Sequence, residues 1–95
     1  MFNPLKFCIM KVYNLTSPRG TVVPNQFEIY HDGKRYFQSY QSIIAVIENG
    51  KITLDSYYWD YSVTTSKYRN IFTGLTTDET KRLIKTGEIK LANLN

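Results

Sequence analysis

The dipeptide Asn49-Gly50 lies between Ser42-Ile43-Ile44-Ala45-Val46-Ile47-Glu48 and Lys51-Ile52-Thr53-Leu54-Asp55, and it constrains this chain more than any other feature. A two-residue type I′ turn needs positive φ at both central positions, and Asn-Gly supplies that at the least steric cost. The register follows from the turn. Glu48 faces Lys51, Ile47 faces Ile52 and Ala45 faces Leu54, which gathers one apolar face and sets opposite charges beside the turn.

The same logic extends upstream. Gln26 to His31 alternates Phe27 and Ile29 with Glu28 and Tyr30, the period of a half-buried strand. Asp32-Gly33 turns the chain into Arg35-Tyr36-Phe37-Gln38-Ser39-Tyr40. Two registers are open there. A loop with Gly33 left-handed pairs Phe27 with Phe37, whereas a strict two-residue turn pairs Ile29 with Tyr36. Lys6 to Asn14 is apolar and β-favouring and reads as a first strand, followed by a loop at Ser17-Pro18-Arg19-Gly20.

After Asp55 the signals change to helix. Thr64-Thr65-Ser66 can cap a short helix that carries Tyr68, Ile71 and Phe72 and stops at Gly74. Thr76-Thr77-Asp78-Glu79 matches a capping box, with Thr76 at the cap and Glu79 three residues on. That second helix carries Leu83 and Ile84, sets Lys81, Arg82 and Lys85 toward its C-terminal half and ends at Gly87, so its charges complement the helix dipole. Glu88 to Leu94 returns as a short strand or an extended tail. The expected fold is therefore α+β: an antiparallel sheet of about four to five strands, with hairpin turns at Asp32-Gly33 and Asn49-Gly50, then two short helices and a C-terminal strand or tail.

Residues 1–95 fit one domain. With 42% hydrophobic and 15% aromatic residues the chain can build a core, which argues against wholesale disorder. Met10-Lys11-Val12 reads as a possible start of translation, which would make residues 1–9 an upstream extension. The net charge of +4 is spread along the chain, unlike the concentrated basic face of a dedicated nucleic-acid binder. Cys8 is the one cysteine, so no internal disulfide forms, and its apolar neighbours suit a buried, inert thiol. No segment reaches the roughly 20 apolar residues of a membrane span, and no long apolar leader is present. Cytoplasm is the expected location.

The catalytic inventory is sparse. His31, the sole histidine, sits beside the Asp32-Gly33 turn and reads as a solvent-facing residue with no marked partner. One His and one Cys cannot assemble a Cys/His zinc site, and no dinucleotide or Walker loop is present. Asp55 and Asp60 could approach each other, but such carboxylates are common on solvated surfaces. The chain is expected to be no enzyme and to need no metal or cofactor.

The densest stretch is Asp55-Ser56-Tyr57-Tyr58-Trp59-Asp60-Tyr61-Ser62, followed by Thr64-Thr65-Ser66-Lys67-Tyr68-Arg69. It supports a protein-binding patch, since Trp, Tyr and Arg dominate interface hot spots. It also supports base stacking, with Lys67, Arg69 and the helix's N-terminal amides holding a phosphate. Trp59 and Tyr68 read as core. Tyr57, Tyr58 and Tyr61 are open between core and surface. Lys81, Arg82 and Lys85 form a cationic helix surface that would join Lys67 and Arg69 in one patch if the fold brought them together.

The strings Arg35-Tyr36-Phe37-Gln38-Ser39-Tyr40, Tyr58-Trp59-Asp60-Tyr61-Ser62, Thr64-Thr65-Ser66-Lys67-Tyr68-Arg69 and Leu91-Ala92-Asn93-Leu94-Asn95 resemble a family of small proteins of unknown function from bacteriophages and mobile elements of Firmicutes-type bacteria. The resemblance spans roughly residues 25 to 95 and attaches no activity. It implies a phage-type protein working in host cytoplasm, a setting in which small proteins block host defence, as anti-CRISPR proteins do. A net +4 argues against imitation of DNA by an acidic surface. The expected function is a non-enzymatic inhibitor that binds a host protein or ribonucleoprotein. The alternatives are a nucleic-acid-binding accessory protein using Tyr57, Tyr58, Lys67, Arg69 and the Lys81–Lys85 helix, and a homodimer built through sheet edges.

Overall fold

A computed structural model describes residues 10–95. Its order is β1 (Met10–Thr16), β2 (Val22–His31), β3 (Lys34–Ser39), β4 (Ser42–Glu48), β5 (Lys51–Asp55), α1 (Val63–Thr73), α2 (Thr77–Thr86) and β6 (Ile89–Ala92). The strands form one six-stranded sheet in chain order, antiparallel from β1 to β5, with β6 parallel to β5. Two parallel neighbours cannot be joined by a tight turn. The helices α1 and α2 are that crossover.

This is the expected α+β class, with five antiparallel strands, two helices and a C-terminal strand that joins the same sheet. The Asn49-Gly50 hairpin has the expected register, with Glu48 opposite Lys51, Ile47 opposite Ile52 and Ala45 opposite Leu54. At the β2–β3 turn the strict two-residue form holds, pairing Ile29 with Tyr36. Both turns are left-handed at both central residues, with φ of 52° and 76° at Asp32 and Gly33, and 52° and 74° at Asn49 and Gly50. A Cβ on Gly50 would meet nothing within 4 Å, so any penalty there is conformational. Gly50→Ala is expected to cost about 1 kcal/mol. That corresponds to roughly a 4–8 °C loss of melting temperature in a domain of this size, and an unchanged melt would contradict the turn type. The first strand begins, among the described residues, at Met10; the expected portion from Lys6, and Cys8, lie outside them.

The core lies between the sheet and the helices. Phe37, Ile44, Ala45 and Leu54 from the sheet meet Tyr68 and Phe72 of α1 and Ile89 of β6. Phe37 and Phe72 stack with ring centroids 5.8 Å apart, and α1 packs on β3 and β4 while α2 packs beside β6. A bulge is needed to build this core. Phe37 opposes Ala45 and Gln38 opposes Ile43, so Ile44 has no partner across the ladder. Ile44 and Ala45 are consequently buried side by side.

Helix α1 starts earlier than expected. Ser62 is its cap, accepting from the Thr65 amide, and Gly74 closes it at φ 79°. Shifting the start back to Val63 puts Thr65, Tyr68, Arg69 and Phe72 on the buried face, and Ile71 is 43% exposed rather than in the core. Helix α2 has the expected capping box, with Thr76 and Glu79 exchanging hydrogen bonds, and Gly87 ends it.

Candidate interaction site

The turn after β5 places the tyrosines of the expected patch. Asp55, the last residue of that strand, is buried, and its carboxylate organises the turn. Oδ2 accepts from the amides of Tyr57 and Tyr58 at 3.1 and 2.8 Å, and Oδ1 accepts from the Leu94 amide and the Asn95 side chain at 2.8 and 3.0 Å. Burial opposes ionisation of this carboxyl, but the four hydrogen bonds outweigh it and hold its pKa below the ordinary value. Asp55 and Asp60 do not form a pair, because Asp60 belongs to a second network around Arg69.

The tightened turn presents the tyrosines together. Tyr57 and Tyr58 meet edge-to-face at 4.7 Å, and Tyr61 lies 5.3 Å from Tyr58 and 6.2 Å from Tyr57. Tyr57 is 73% and Tyr61 63% exposed, with Tyr58 half-buried beneath them. The question left open by the sequence is answered by depth: Tyr58 packs against the core and its two neighbours face out. Beside them runs a cleft of about 540 Å³ lined by Tyr40, Tyr58, Tyr61, Ser39, Ser42 and Thr65. Tyr40 is the member that sequence reasoning missed. It occupies the turn between β3 and β4 with φ 55° and is 58% exposed. A bulky residue in the left-handed region carries a strain of about 1–3 kcal/mol. The one signal for it in the sequence is an aromatic at the end of an alternating strand, immediately before Gln41 and a fresh strand.

Arg69 requires a correction. The sequence suggests that it holds a phosphate beside Lys67, but it is fully buried. Its guanidinium donates to the Trp59 carbonyl, to Asp60 Oδ1 at 3.4 Å, to Asn70 Oδ1 at 3.0 Å and to Thr77 Oγ1 at 3.2 Å, and it lies 5.2 Å from the Trp59 ring. Desolvation lowers its pKa from the ordinary value, opposed by the hydrogen bond and charge of Asp60. Asp60 is held low by its hydrogen bond from Ser66, against some desolvation, with Arg69 adding to the effect. Arg69 therefore joins the turn to α1 and α2 and is closed to a ligand. Trp59 and Tyr68 pack in or against the core as expected. Lys67 stays exposed, its Nζ 5.4 Å from the Tyr68 ring. Lys81, Arg82 and Lys85 are exposed on α2, but burial of Arg69 removes the residue that would have linked them to Lys67. His31 is half-buried at the end of β2 rather than solvent-facing.

Among the described residues no group of three or more His, Cys, Asp or Glu could hold a metal ion, and no helix is long and apolar enough to cross a membrane. The model of a family of unknown function (DUF8033) matches residues 10–89. The chain belongs to this family. The match takes in β1, which the resemblance drawn from the sequence left uncovered, and it ends before the Leu91–Asn95 string. No curated protein and no solved structure matches the chain.

Proposed function

We propose that this member of the family is a non-enzymatic interaction protein that binds a protein partner through the Tyr40, Tyr57 and Tyr61 surface. The observation that carries this reading is the strained, exposed Tyr40 lining one cleft with exposed Tyr61 and half-buried Tyr58, with exposed Tyr57 against both of the latter rings. Exposed aromatics gathered around a concavity are the usual anchors of a protein interface, and strain at such a position is maintained where the surrounding structure over-determines it. In the phage-type setting that the sequence resemblance implies, the partner is a host protein or ribonucleoprotein and the outcome is inhibition of host defence, as an anti-CRISPR protein acts. Burial of Arg69 weighs against a nucleic-acid site built on residues 57–69.

Affinity capture from host lysate, with and without nuclease, tests the reading. The expected result is one specific protein whose recovery survives nuclease. Its recovery should fall by at least about thirtyfold for Tyr40→Ser/Tyr57→Ser/Tyr61→Ser, the loss of roughly one hot-spot residue or more. Equal capture by the triple variant, or no specific enrichment, would reject it.

A further inference from the structure

We propose that the helix-side surface of β1 and β2, at the Asp32-Gly33 end of the sheet, binds single-stranded nucleic acid, with bases stacking on Tyr13 and Tyr30 and phosphates held by Lys11 and Lys34. The placement comes from register. Tyr13 opposes Glu28 and Glu28 opposes Phe37, while Lys11 opposes Tyr30 and Tyr30 opposes Arg35. Phe37 lies beneath α1, so all of these side chains point to the helix side, whereas Lys34, opposite His31 in the alternate phase, lines the groove from the Asp32-Gly33 turn. The helices pack on β3, β4 and β6, and Tyr13 and Tyr30 remain 50% and 38% exposed. The result is an open groove of about 990 Å³ beyond the helices.

Its chemistry is sorted into committed and uncommitted groups. Glu28 is committed: it forms an ion pair with Arg35 and accepts from the Tyr30 hydroxyl at 3.1 Å. Arg35 in turn lies 5.8 Å from the Tyr30 ring and 5.0 Å from the Phe72 ring. This network fixes Tyr30, and Tyr13 meets it edge-to-face at 5.9 Å. With Glu28 neutralised, the uncommitted charges lining the groove are Lys11, Lys34 and Asp32, none in an ion pair among the described residues, and the balance is one positive charge. Exposed aromatic rings beside uncommitted cations suit a chain that presents alternating base faces and phosphates. A duplex hides its base faces and offers only the phosphate half of that match. The groove lies at the end of β2 and β3 opposite Tyr40, so it is independent of the protein-binding surface.

The test is fluorescence anisotropy of labelled oligothymidylate and oligouridylate dodecamers with the whole chain. Two phosphate contacts predict a salt slope of roughly −1.4, which makes binding about sevenfold weaker between about 50 and 200 mM salt. Tyr13→Ala and Tyr30→Ala should each weaken binding about tenfold, while Tyr13→Phe and Tyr30→Phe retain it because the stacking face survives. Lys11→Gln/Lys34→Gln should flatten the slope, and Tyr57→Ser/Tyr61→Ser should leave binding unchanged. The oligothymidylate and oligouridylate arms separate DNA from RNA as the source. No binding, equal binding by the alanine variants in their folded state, equal affinity for duplex, or displacement by polyglutamate as effective as by oligonucleotide would each overturn the proposal. The last of these would make the groove an acidic-peptide site.

Discussion

Arg69→Ala is expected to destabilise the domain by about 3 kcal/mol or more, a drop of roughly 12–24 °C in melting temperature. Arg69 is fully buried, and its guanidinium holds the Trp59 carbonyl, Asp60, Asn70 and Thr77 in one network. Truncation leaves the Trp59 carbonyl and its polar neighbours without their donor and opens a cavity beside the indole. Asp60 itself suffers less, because its side chain is 43% exposed and water can replace the lost partner. Arg69→Lys should recover little, since an ammonium cannot span donors set in a planar fork. Thermal unfolding by circular dichroism measures both variants. A loss under about 1 kcal/mol for alanine would mean the network is not integral to the fold.

Asp55→Asn is expected to cost about 2–4 kcal/mol, because the amide can no longer accept from both sides of the carboxyl. Its four donors come from the turn at Tyr57 and Tyr58 and from the C-terminal segment at Leu94 and Asn95. Asn95 also bonds the backbone of Ile43, through its Oδ1 at 2.8 Å and its Nδ2 at 2.9 Å, so the segment after β6 is tied to both β4 and β5. Urea unfolding gives the magnitude, and hydrogen exchange at Leu94 should quicken. Unchanged exchange there would show that Asp55 does not hold the segment.

The same contacts predict an acid limb. Asp55, Asp60 and Glu79 all have folded pKa values below their ordinary ones. For Glu79 the cause is the backbone hydrogen bond from Thr76. The folded state therefore binds fewer protons than the unfolded state near those values. The stabilisation is fully present above roughly pH 4–5 and is lost as pH falls through the lower folded values. In Asp55→Asn that limb should be shallower.

Much of the architecture is local chemistry and is legible as such. Asn49-Gly50 sets one register outright, because few residues tolerate positive φ twice in succession. Thr76 with Glu79, and glycine at positions 74 and 87, bracket α2 and end α1. Two local readings still fail. Thr64–Ser66 offers hydroxyls for the first-helix cap, yet Ser62 lies nearer the turn and wins because its hydroxyl reaches the Thr65 amide. Strict alternation in β4 does not anticipate that Ile44 shares the core with Ala45, since an unpaired residue leaves no trace in composition or period.

The candidate sites divide along the same line. The tyrosine-rich run is visible because its residues adjoin in the chain, and they remain neighbours in space. The groove at Tyr13 and Tyr30 is not, because its residues come from separate strands and meet only through register. The Asn49-Gly50 turn, the capping box of α2 and the apolar face of the second hairpin were fixed by the residues themselves, since each depends on φ preference or on partners within a few positions. The parallel return of β6, the burial of Arg69 and the meeting of Tyr13 with Tyr30 across β1 and β2 were settled only by tertiary packing. These three depend on long-range pairing and on loss of water, and neither leaves a mark on neighbouring residues.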